Sequence, residues 1–305
     1  MSDHSYQLNE ENQYLDLVRS IIATGDLEVG RNGNTLVKFG HMMRFSLRDG
    51  QLPVLTTKRV AHRTCFKELL WFIRGQTDNR ILQKQNVHIW DGNASREFLD
   101  GRGLTDYPEG TLGPVYGFQW RHFGADYDPE TCGCDPNPLS YQGIDQLQQV
   151  IDALKDPAQR SSRRIMLIAW NPQDLDKMAL PPCHVLAQFH VTGGTKLSCA
   201  LYQRSCDVGL GVPFNLASYS YLTHLLAKYC GLEAEEFVYF MGNTHIYEQH
   251  IDGLKTQLEN PTLPFPKIRV NESIVAKAFD EIVESDVEFV EPYICGPELR
   301  LPFVA

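Results

Sequence analysis

Residues 180–207 read LPPCHVLAQFHVTGGTKLSCALYQRSCD, and this stretch decides the fold because it holds two predicted strands and several reactive side chains. Apolar residues predict strands at 185–191 and 197–203, and the second alternates cleanly between apolar and polar positions. Working outward, a further strand is predicted at 165–170 and another at 237–241. Together these segments indicate a substantial β-sheet.

Helical and strand patterns continue on both sides of this region. Helices are predicted near 14–22, 65–73, 144–154, 216–229 and 247–258, and a strand at 35–47. Gly25 is expected to end the first helix in the left-handed conformation. Residues 91–142 are rich in Gly, Pro, Asp and Tyr, which predicts mostly loop. No Pro/Ser-rich linker divides the chain, so we expect one α/β (α+β) domain over residues 12–305, preceded by a flexible tail at 1–11.

The composition excludes several classes of protein. The chain has 305 residues, 43% hydrophobic and 22% charged, which is typical of a globular protein with a sizeable core. A formal net charge of −10 argues against a protein that mainly wraps nucleic acid. No apolar run is long enough for a membrane span, and the polar start MSDHSYQLNEEN is unlike a secretory signal. The eight cysteines are therefore expected to be thiols in a reducing compartment, with the cytoplasm as the default.

Cys183 is the first candidate for chemistry. It lies between a loop and a predicted strand, where a nucleophile is held rigidly at the end of an element. For an arbitrary cysteine, the commoner role is that of a small buried apolar residue. His184 follows directly, but adjacent strand residues point to opposite faces, so it is a poor base for Cys183. A cysteine-protease interpretation is therefore weak.

Two clusters of charged residues suggest an anionic ligand. Arg204 and Asp207 lie at the end of a predicted strand, where Arg204 could bind a phosphate or lower the pKa of a thiol. An internal Arg–Asp pair is the equal alternative. Arg163 and Arg164 open another strand and should point apart, so one phosphate would meet both only by an unusual approach, such as from a neighbouring subunit. A solvated charge cluster is the usual alternative.

Four further features bear on acid–base or metal chemistry. Glu68 is a lone carboxylate on an otherwise apolar helix, and burial would raise its pKa and make it a proton shuttle. His245 and Tyr247 share a face if their segment is extended. His245 and His250 are five residues apart, not the four that align two ligands on a helix, and the Cys132–Cys134 pair lacks the second pair of a zinc site. No metal is expected.

Seven segments together resemble a single known family. They are RIMLIAWNP at 164–172, MALPPCH at 178–184 with QF at 188–189, YQRSCDVGLGVPFN at 202–215, TTKR at 56–59, ELLWF at 68–72, IWDGN at 89–93 and LGPVYGFQWR at 112–121. Taken in their order along the chain, these segments resemble thymidylate synthase over about residues 13–304. The insert around 95–103 resembles the eukaryotic-type branch. The resemblance implies that family's fold, a single domain on a large mixed β-sheet flanked by helices, in a homodimer whose sheets pack face to face.

The resemblance also implies a reaction. The family is a folate-dependent methyltransferase that converts deoxyuridylate (dUMP) to thymidylate (dTMP), with 5,10-methylenetetrahydrofolate giving both carbon and hydride and leaving as dihydrofolate. By this resemblance the Cys183 thiolate adds to carbon 6 of uracil, which activates carbon 5. Arg204 stabilises the thiolate and Glu68 relays protons. The other three catalytic positions are Tyr116, His184 and Asp207.

Binding positions carry over residue by residue. The phosphate is expected to meet Arg31, Arg204 and Ser205 of its own chain, and Arg163 and Arg164 of the partner subunit, so the homodimer is obligatory. The rest of the nucleotide is expected to bind Gln203, Asn215, His245 and Tyr247, and the Asn at 215 favours dUMP because the cytosine-using relatives carry Asp there. The folate is expected to bind Lys58, Ile89, Trp90, Asn93, Asp207, Leu210, Gly211 and Phe214, with Lys58 at its glutamate tail.

The chain departs from the family pattern at three places. The phosphate loop GRNGNT, residues 30–35, is one residue shorter than usual, Asn243 replaces an Asp, and the ending 299–305 differs from the common Met-rich one. In the family this ending closes over the site and excludes water. Two alternatives follow: a dUMP hydroxymethylase, in which water traps the methylene intermediate, and a catalytically silent RNA-binding homologue. The complete catalytic set and the net charge of −10 disfavour the second.

Overall fold

A six-stranded mixed sheet forms the centre of the computed structural model, which describes residues 9–30, 33–130 and 143–303. Across the sheet the strands are β1 (Asp26–Gly30), β2 (Gly33–Ser46), β6 (Glu233–Tyr247), β5 (Lys196–Asp207), β4 (His184–Thr192) and β3 (Met166–Ile168). β5 and β6 are parallel and the other neighbours are antiparallel. A separate two-stranded sheet pairs β7 (Ile268–Val270) with β8 (Val287–Phe289). The predicted α/β domain on a mixed sheet is confirmed.

Nine α-helices form within the residues that the structure describes. They are α1 (Asn12–Thr24), α2 (His62–Ile73), α3 (Asn79–Gln83), α4 (Asp91–Ala94), α5 (Arg96–Gly101), α6 (Tyr116–His122), α7 (Gln146–Lys155), α8 (Gly211–Tyr229) and α9 (Ile251–Leu258). Within the described ranges, none of them is both long and apolar enough to cross a bilayer.

One face of the sheet carries the core. Met43, Tyr239, Leu201 and Ala187 are neighbours across β2, β6, β5 and β4, and all four are fully buried. Helix α8 packs on this face, against β5 and β6, and most of its side chains are buried. Apolar side chains at every second strand position therefore fix which face the helices cover.

The opposite face presents apolar side chains to solvent in the single chain. Met42, Phe240 and Tyr202 are neighbours across β2, β6 and β5, with exposed fractions of 47%, 44% and 40%. A contiguous exposed apolar row of this kind is typical of a surface that another protein covers.

Several boundaries differ from the predictions. β6 runs over 15 residues, so Tyr247 ends a strand and α9 begins at Ile251 rather than near 247. Gly25 has a φ of −72°, so the first helix does not end in the left-handed conformation. A Cβ at Gly25 would lie 2.6 Å from the Ile21 carbonyl oxygen, so the glycine is needed for close approach instead.

The region at 91–142, predicted to be mostly loop, contains three short helices, α4, α5 and α6, between residues 91 and 122; residues 131–142 lie outside the described part. These helices have seven residues or fewer, too short to show a helical period. Ser95 caps α5 by accepting a hydrogen bond from the Phe98 N–H (3.2 Å), and α6 is buried along most of its length. Tertiary packing therefore stabilises them where periodicity gives no signal.

The amino-terminal segment is anchored by a buried carboxylate. Residues 1–8 of the predicted tail lie outside the described residues, whereas Glu11 is fully buried. Its carboxylate accepts hydrogen bonds from the backbone N–H and the hydroxyl of both Thr56 and Thr57, at 2.5–2.9 Å. These bonds attach the start of α1 to the segment that leads into α2.

We expect Glu11→Ala to lower the free energy of unfolding by about 3 kcal/mol, because four buried donors lose their acceptor. Urea denaturation followed by circular dichroism measures this. Asp16→Ala, at an exposed carboxylate on the same helix, is the matched control and should change stability by less than about 0.5 kcal/mol. Equal effects of the two variants would contradict the anchoring role.

Candidate active site

Cys183 is held at the point where a loop enters β4. Its backbone N–H donates to the Tyr116 hydroxyl (2.7 Å), and its carbonyl accepts from the Arg204 N–H (2.9 Å). The Arg204 guanidinium donates through Nε to the Pro182 carbonyl and through Nη2 to the Pro181 carbonyl, both at 2.9 Å. The loop is thereby fixed to the end of β5, with a guanidinium close to the thiol.

The Cys183 thiol is subject to opposing electrostatic effects. Burial raises its pKa, while the positive charge of Arg204 lowers it, as do hydrogen bonds from Tyr116 and Ser205. Asp207 raises it slightly further, and the net shift is upward. As a residue, Cys183 is nevertheless half-buried rather than fully buried. Arg204 is the group that makes the thiolate attainable.

Glu68 is a buried carboxyl group on α2. Only 5% of its surface is exposed, and Oε1 accepts a hydrogen bond from Trp90 Nε1 at 2.7 Å. Burial raises the pKa of Glu68 to about 7, although the Trp90 hydrogen bond acts in the opposite direction. A carboxyl group with that pKa can both donate and accept a proton near neutrality.

His184 is buried and stacks on Tyr116, with ring centroids 3.9 Å apart and 13° between the planes. Its Nδ1 is 2.7 Å from the Tyr219 hydroxyl, so the imidazole bonds to α8 rather than to the Cys183 thiol. Burial lowers the pKa of His184 to about 3, which keeps the ring neutral. Its arrangement agrees with the expectation that it is a poor base for Cys183.

The predicted deoxyribose positions, His245 and Tyr247, lie at the carboxyl end of β6, beside the carboxyl end of β5. Asp207 pairs with His245 in the sheet register, and Ser205 pairs with Asn243. His245 is nearly buried, its Nδ1 is 2.9 Å from Asn243 Oδ1, and burial lowers its pKa. Its ring contacts that of Tyr247 at 5.3 Å, as expected if the segment is extended.

Two amides of the predicted set differ in their availability. Gln203 is 2% exposed, and its amide is committed internally: Oε1 accepts from the Tyr239 hydroxyl at 2.5 Å, and Nε2 donates to the Ser205 carbonyl at 2.9 Å. The Asn215 amide is partly exposed and has no hydrogen-bond partner among the residues that the structure describes. Asn215 is therefore the amide that can meet a ligand directly.

The predicted phosphate arginines do not all come together in one chain. Arg31 lies outside the described residues. Arg163 and Arg164 are exposed at the start of the sheet edge, where the Arg163 carbonyl accepts from Gln188 Nε2 (3.0 Å). Of the predicted arginines that the structure describes, Arg204 is the one that contacts the Cys183 loop.

The predicted folate positions line the region between α4 and the amino end of α8. Ile89, Leu210 and Phe214 are partly exposed, while Trp90 and Asn93 are nearly buried. A Cβ on Gly211 would lie 3.6 Å from Asp207 Cβ and 3.8 Å from Asn215 Oδ1, so Gly211 adjoins both a predicted folate position and a predicted nucleotide position.

Lys58 is not placed at a surface. It is 4% exposed, and its Nζ donates to the Gly209 carbonyl. Burial lowers the pKa of Lys58 to about 8, against the opposite effects of Asp207 and Glu11. In this conformation Lys58 supports the backbone beside Asp207 instead of extending toward a glutamate tail.

Sequence reasoning missed two side chains that position others. Tyr219 bonds to His184, and His250, considered only as a metal ligand, is fully buried 3.6 Å from Asp207 Oδ1. Neither belongs to a motif, although both are polar residues beside apolar ones. Among residues 9–30, 33–130 and 143–303, no group of three or more His, Cys, Asp or Glu side chains is arranged to hold a metal ion.

We expect Glu68→Gln to gain stability relative to the wild type as the pH rises. With a folded-state pKa of about 7 and an ordinary value of 4.5, folded Glu68 keeps a proton that the unfolded chain has lost between these pH values. Stability of the wild type therefore falls through this window, and the variant lacks this loss.

The difference in unfolding free energy between the two proteins should change by about 2–3 kcal/mol from pH 5 to pH 8. Urea denaturation at both pH values measures it, with the exposed Glu298→Gln as control. A difference that is independent of pH would contradict a raised pKa at Glu68.

Comparison with known proteins identifies the family. The thymidylate synthase family model matches residues 12–305. Thymidylate synthase of Saccharomyces cerevisiae is 49% identical over 96% of this chain and 96% of its own length. The bifunctional dihydrofolate reductase-thymidylate synthases of Leishmania major and Zea mays are 49% and 50% identical, over 96% and 93% of this chain. The chain spans about half the length of these bifunctional relatives, 55% and 53%. It belongs to the thymidylate synthase family.

Proposed function

We propose that this chain is a thymidylate synthase, a methyltransferase that forms dTMP and dihydrofolate from dUMP and 5,10-methylenetetrahydrofolate, with residues 12–305 as one catalytic domain. The observation that carries the proposal is the fixed position of Cys183, between the Arg204 guanidinium and the Tyr116 hydroxyl. Membership of the family and the similarity to the yeast enzyme over nearly its whole length support it.

Cys183 acts as the nucleophile in this proposal. Carbon 5 of uracil is a poor nucleophile, and addition of the Cys183 thiolate at carbon 6 turns it into an enolate carbon. Arg204 stabilises the thiolate and also meets the nucleotide phosphate, because its charge is beside the sulfur. The thiolate later leaves carbon 6 when the double bond re-forms.

Glu68 moves the protons of the reaction. Its pKa of about 7 lets it donate a proton near oxygen 4 of the pyrimidine and take it back. Neutral His184 and Tyr116 assist as hydrogen-bond partners, a role that agrees with their stacked rings and with the low pKa of the imidazole. Trp90 orients Glu68 through the bond to Oε1.

Nucleotide recognition uses residues of β5, β6 and α8. The available amide of Asn215 offers one donor and one acceptor to the uracil edge, which suits dUMP. His245 and Tyr247 bind the deoxyribose hydroxyl, and Ser205 joins Arg204 and Arg31 at the phosphate. Gln203 contributes through the Ser205 carbonyl that it holds.

The predicted folate positions fit a flat heterocycle. Partly exposed apolar side chains adjoin the partly exposed carboxylate of Asp207, which can accept paired hydrogen bonds from an aminopyrimidine edge. The bound folate supplies a one-carbon unit and a hydride. It would be held by Ile89, Trp90, Asn93, Asp207, Leu210, Gly211 and Phe214, with Lys58 supporting the Gly209 backbone beside Asp207. We propose that no metal takes part and that the reaction occurs in the cytoplasm.

A homodimer completes the phosphate site in this proposal. Arg163 and Arg164 are exposed and do not contact the Cys183 loop of their own chain, so we propose that they serve the site of the partner subunit. The exposed apolar row Met42–Phe240–Tyr202 on the sheet supports a dimer whose sheets pack face to face.

We expect Cys183→Ala to abolish formation of dTMP and dihydrofolate while nucleotide binding persists. Dihydrofolate is followed by its near-ultraviolet absorbance, and the nucleotide product is identified by mass. Cys295→Ala, another partly exposed cysteine, is the matched control and should keep wild-type turnover. Full turnover of Cys183→Ala would overturn the nucleophile assignment. A hydroxymethyl product without dihydrofolate from the wild type would establish the hydroxymethylase alternative, and no product would favour the silent homologue.

Subunit mixing tests the contribution of the partner. Cys183→Ala and the double variant Arg163→Glu/Arg164→Glu should each be inactive alone. After they exchange subunits at equal amounts, about a quarter of wild-type activity should return, because half of the dimers are mixed and each has one intact site. Native mass spectrometry verifies the exchange. Mixed dimers without activity would contradict arginines that act across the dimer.

A further inference from the structure

His250 is a fully buried histidine between β6 and α9, and it is in contact with the carboxyl-terminal segment. Its Nε2 is 2.7 Å from the carbonyl oxygen of Pro302, a hydrogen bond that joins positions 52 residues apart. Because a carbonyl oxygen only accepts, Nε2 carries the proton. The segment near the carboxyl end is therefore bound to the interior at this point.

The other side of the same ring faces Asp207. Nδ1 is 3.6 Å from Asp207 Oδ1, an ion-pair distance, and it has no hydrogen-bond partner among the described residues. A Cβ at Gly209 would lie 2.4 Å from Nδ1, so glycine is required there. The Gly209 N–H in turn donates to Asp207 Oδ1 (2.9 Å). His250 and Gly209 thus converge on the same oxygen.

A second contact holds the carboxyl-terminal segment close to the hydrogen bond between His250 and Pro302. Leu301 packs over Gly253 of α9, where a Cβ would lie only 2.5 Å from Leu301 Cδ2. Pro302 is therefore held by the His250 side chain, and Leu301 is held by the space above Gly253. Both contacts belong to residues 250–253. Docking of the segment and the position of the His250 ring depend on each other.

We propose that His250 is a positioning residue that couples docking of the carboxyl-terminal segment to the orientation of the Asp207 carboxylate. The inference rests on the proposed function, in which Asp207 holds the folate. With the segment docked, the ring is held by the Pro302 carbonyl and keeps Asp207 Oδ1 in place; with the segment released, that restraint is lost.

The raised pKa of His250 favours contact of its ring with both Pro302 and Asp207. Burial and Lys58 lower the pKa of His250, but Asp207 and the Pro302 carbonyl outweigh them, so the pKa is raised. His245 and the Tyr247 ring are its other neighbours on this side. An imidazolium has a donor at both nitrogens, one for the segment and one for Asp207.

Two amide variants separate the two contacts. The amide nitrogen of Gln lies near the place of Nε2, so His250→Gln keeps the donor to Pro302 and loses the one to Asp207. The amide nitrogen of Asn lies near the place of Nδ1, so His250→Asn does the reverse. Two readouts are measured on each full-length variant: the rate at which carboxypeptidase Y releases the last residues of the unliganded protein, and the Kd of the dUMP-bound protein for tetrahydrofolate by calorimetry.

We expect His250→Asn to be digested several-fold faster than the wild type, and His250→Gln to be digested at the wild-type rate. We expect His250→Gln to bind tetrahydrofolate about tenfold more weakly with unchanged dUMP affinity, because the ion pair between the imidazole and Asp207 is lost. Gly253→Ala, which displaces only Leu301, should accelerate digestion and weaken tetrahydrofolate binding together if the two are coupled. Gln249→Ala, at the exposed neighbour, is the control and should change neither.

Wild-type digestion rates in both His250→Asn and Gly253→Ala would overturn the docking contacts. Unchanged tetrahydrofolate affinity in His250→Gln and Gly253→Ala would overturn the coupling to Asp207. Equal loss of dUMP and tetrahydrofolate affinity in both His250 variants would reduce the residue to a structural role. If the wild type itself binds no tetrahydrofolate, the proposed function fails, and the digestion rates still decide whether His250 holds the segment.

Discussion

The hydrogen bonds between the Arg204 guanidinium and the carbonyls of Pro181 and Pro182 are the constraint on which the site depends. A loop with two consecutive prolines has no backbone N–H at those positions, so it cannot fix itself by a regular turn or ladder. The side chain of a neighbouring strand fixes it instead. Because the same residue bonds the Cys183 carbonyl through its backbone, the thiol and the positive charge move as one unit.

Arg204 also keeps capacity for a ligand. A guanidinium has five N–H donors, and two of them are used on the loop. The face of the group lies 5.2 Å from the centre of the Trp170 ring, which restricts its rotation. An anion that binds the remaining donors meets a group already oriented, so little side-chain entropy is lost on binding.

The sequence predicted the central strands because one of their faces is buried and alternation is then strict, as at 197–203 within β5. It missed β1, whose five residues are all exposed and give no alternation, and it shortened β6, whose end is buried on both faces. For the site, motifs predicted a set of residues, and the fold places Cys183 between Tyr116 and Arg204, with Glu68 bonded to Trp90. Motifs could not predict that Lys58 faces inward or that His250 joins Asp207 to Pro302, because both depend on packing between segments far apart in sequence.

Burial raises the pKa of both Glu68 and the Cys183 thiol, but the consequence for the proposed chemistry differs. It raises the pKa of Glu68 to about 7, which suits a group that must carry a proton in one step and release it in another. It also raises the pKa of the Cys183 thiol, which opposes formation of the nucleophile. The pocket resolves this conflict by charge placement: Arg204 is beside the sulfur, whereas Glu68 receives only a neutral donor from Trp90. Two buried groups can thus differ in proton affinity, since the charge of Arg204 lowers the pKa of the Cys183 thiol and is not among the causes of the shift at Glu68.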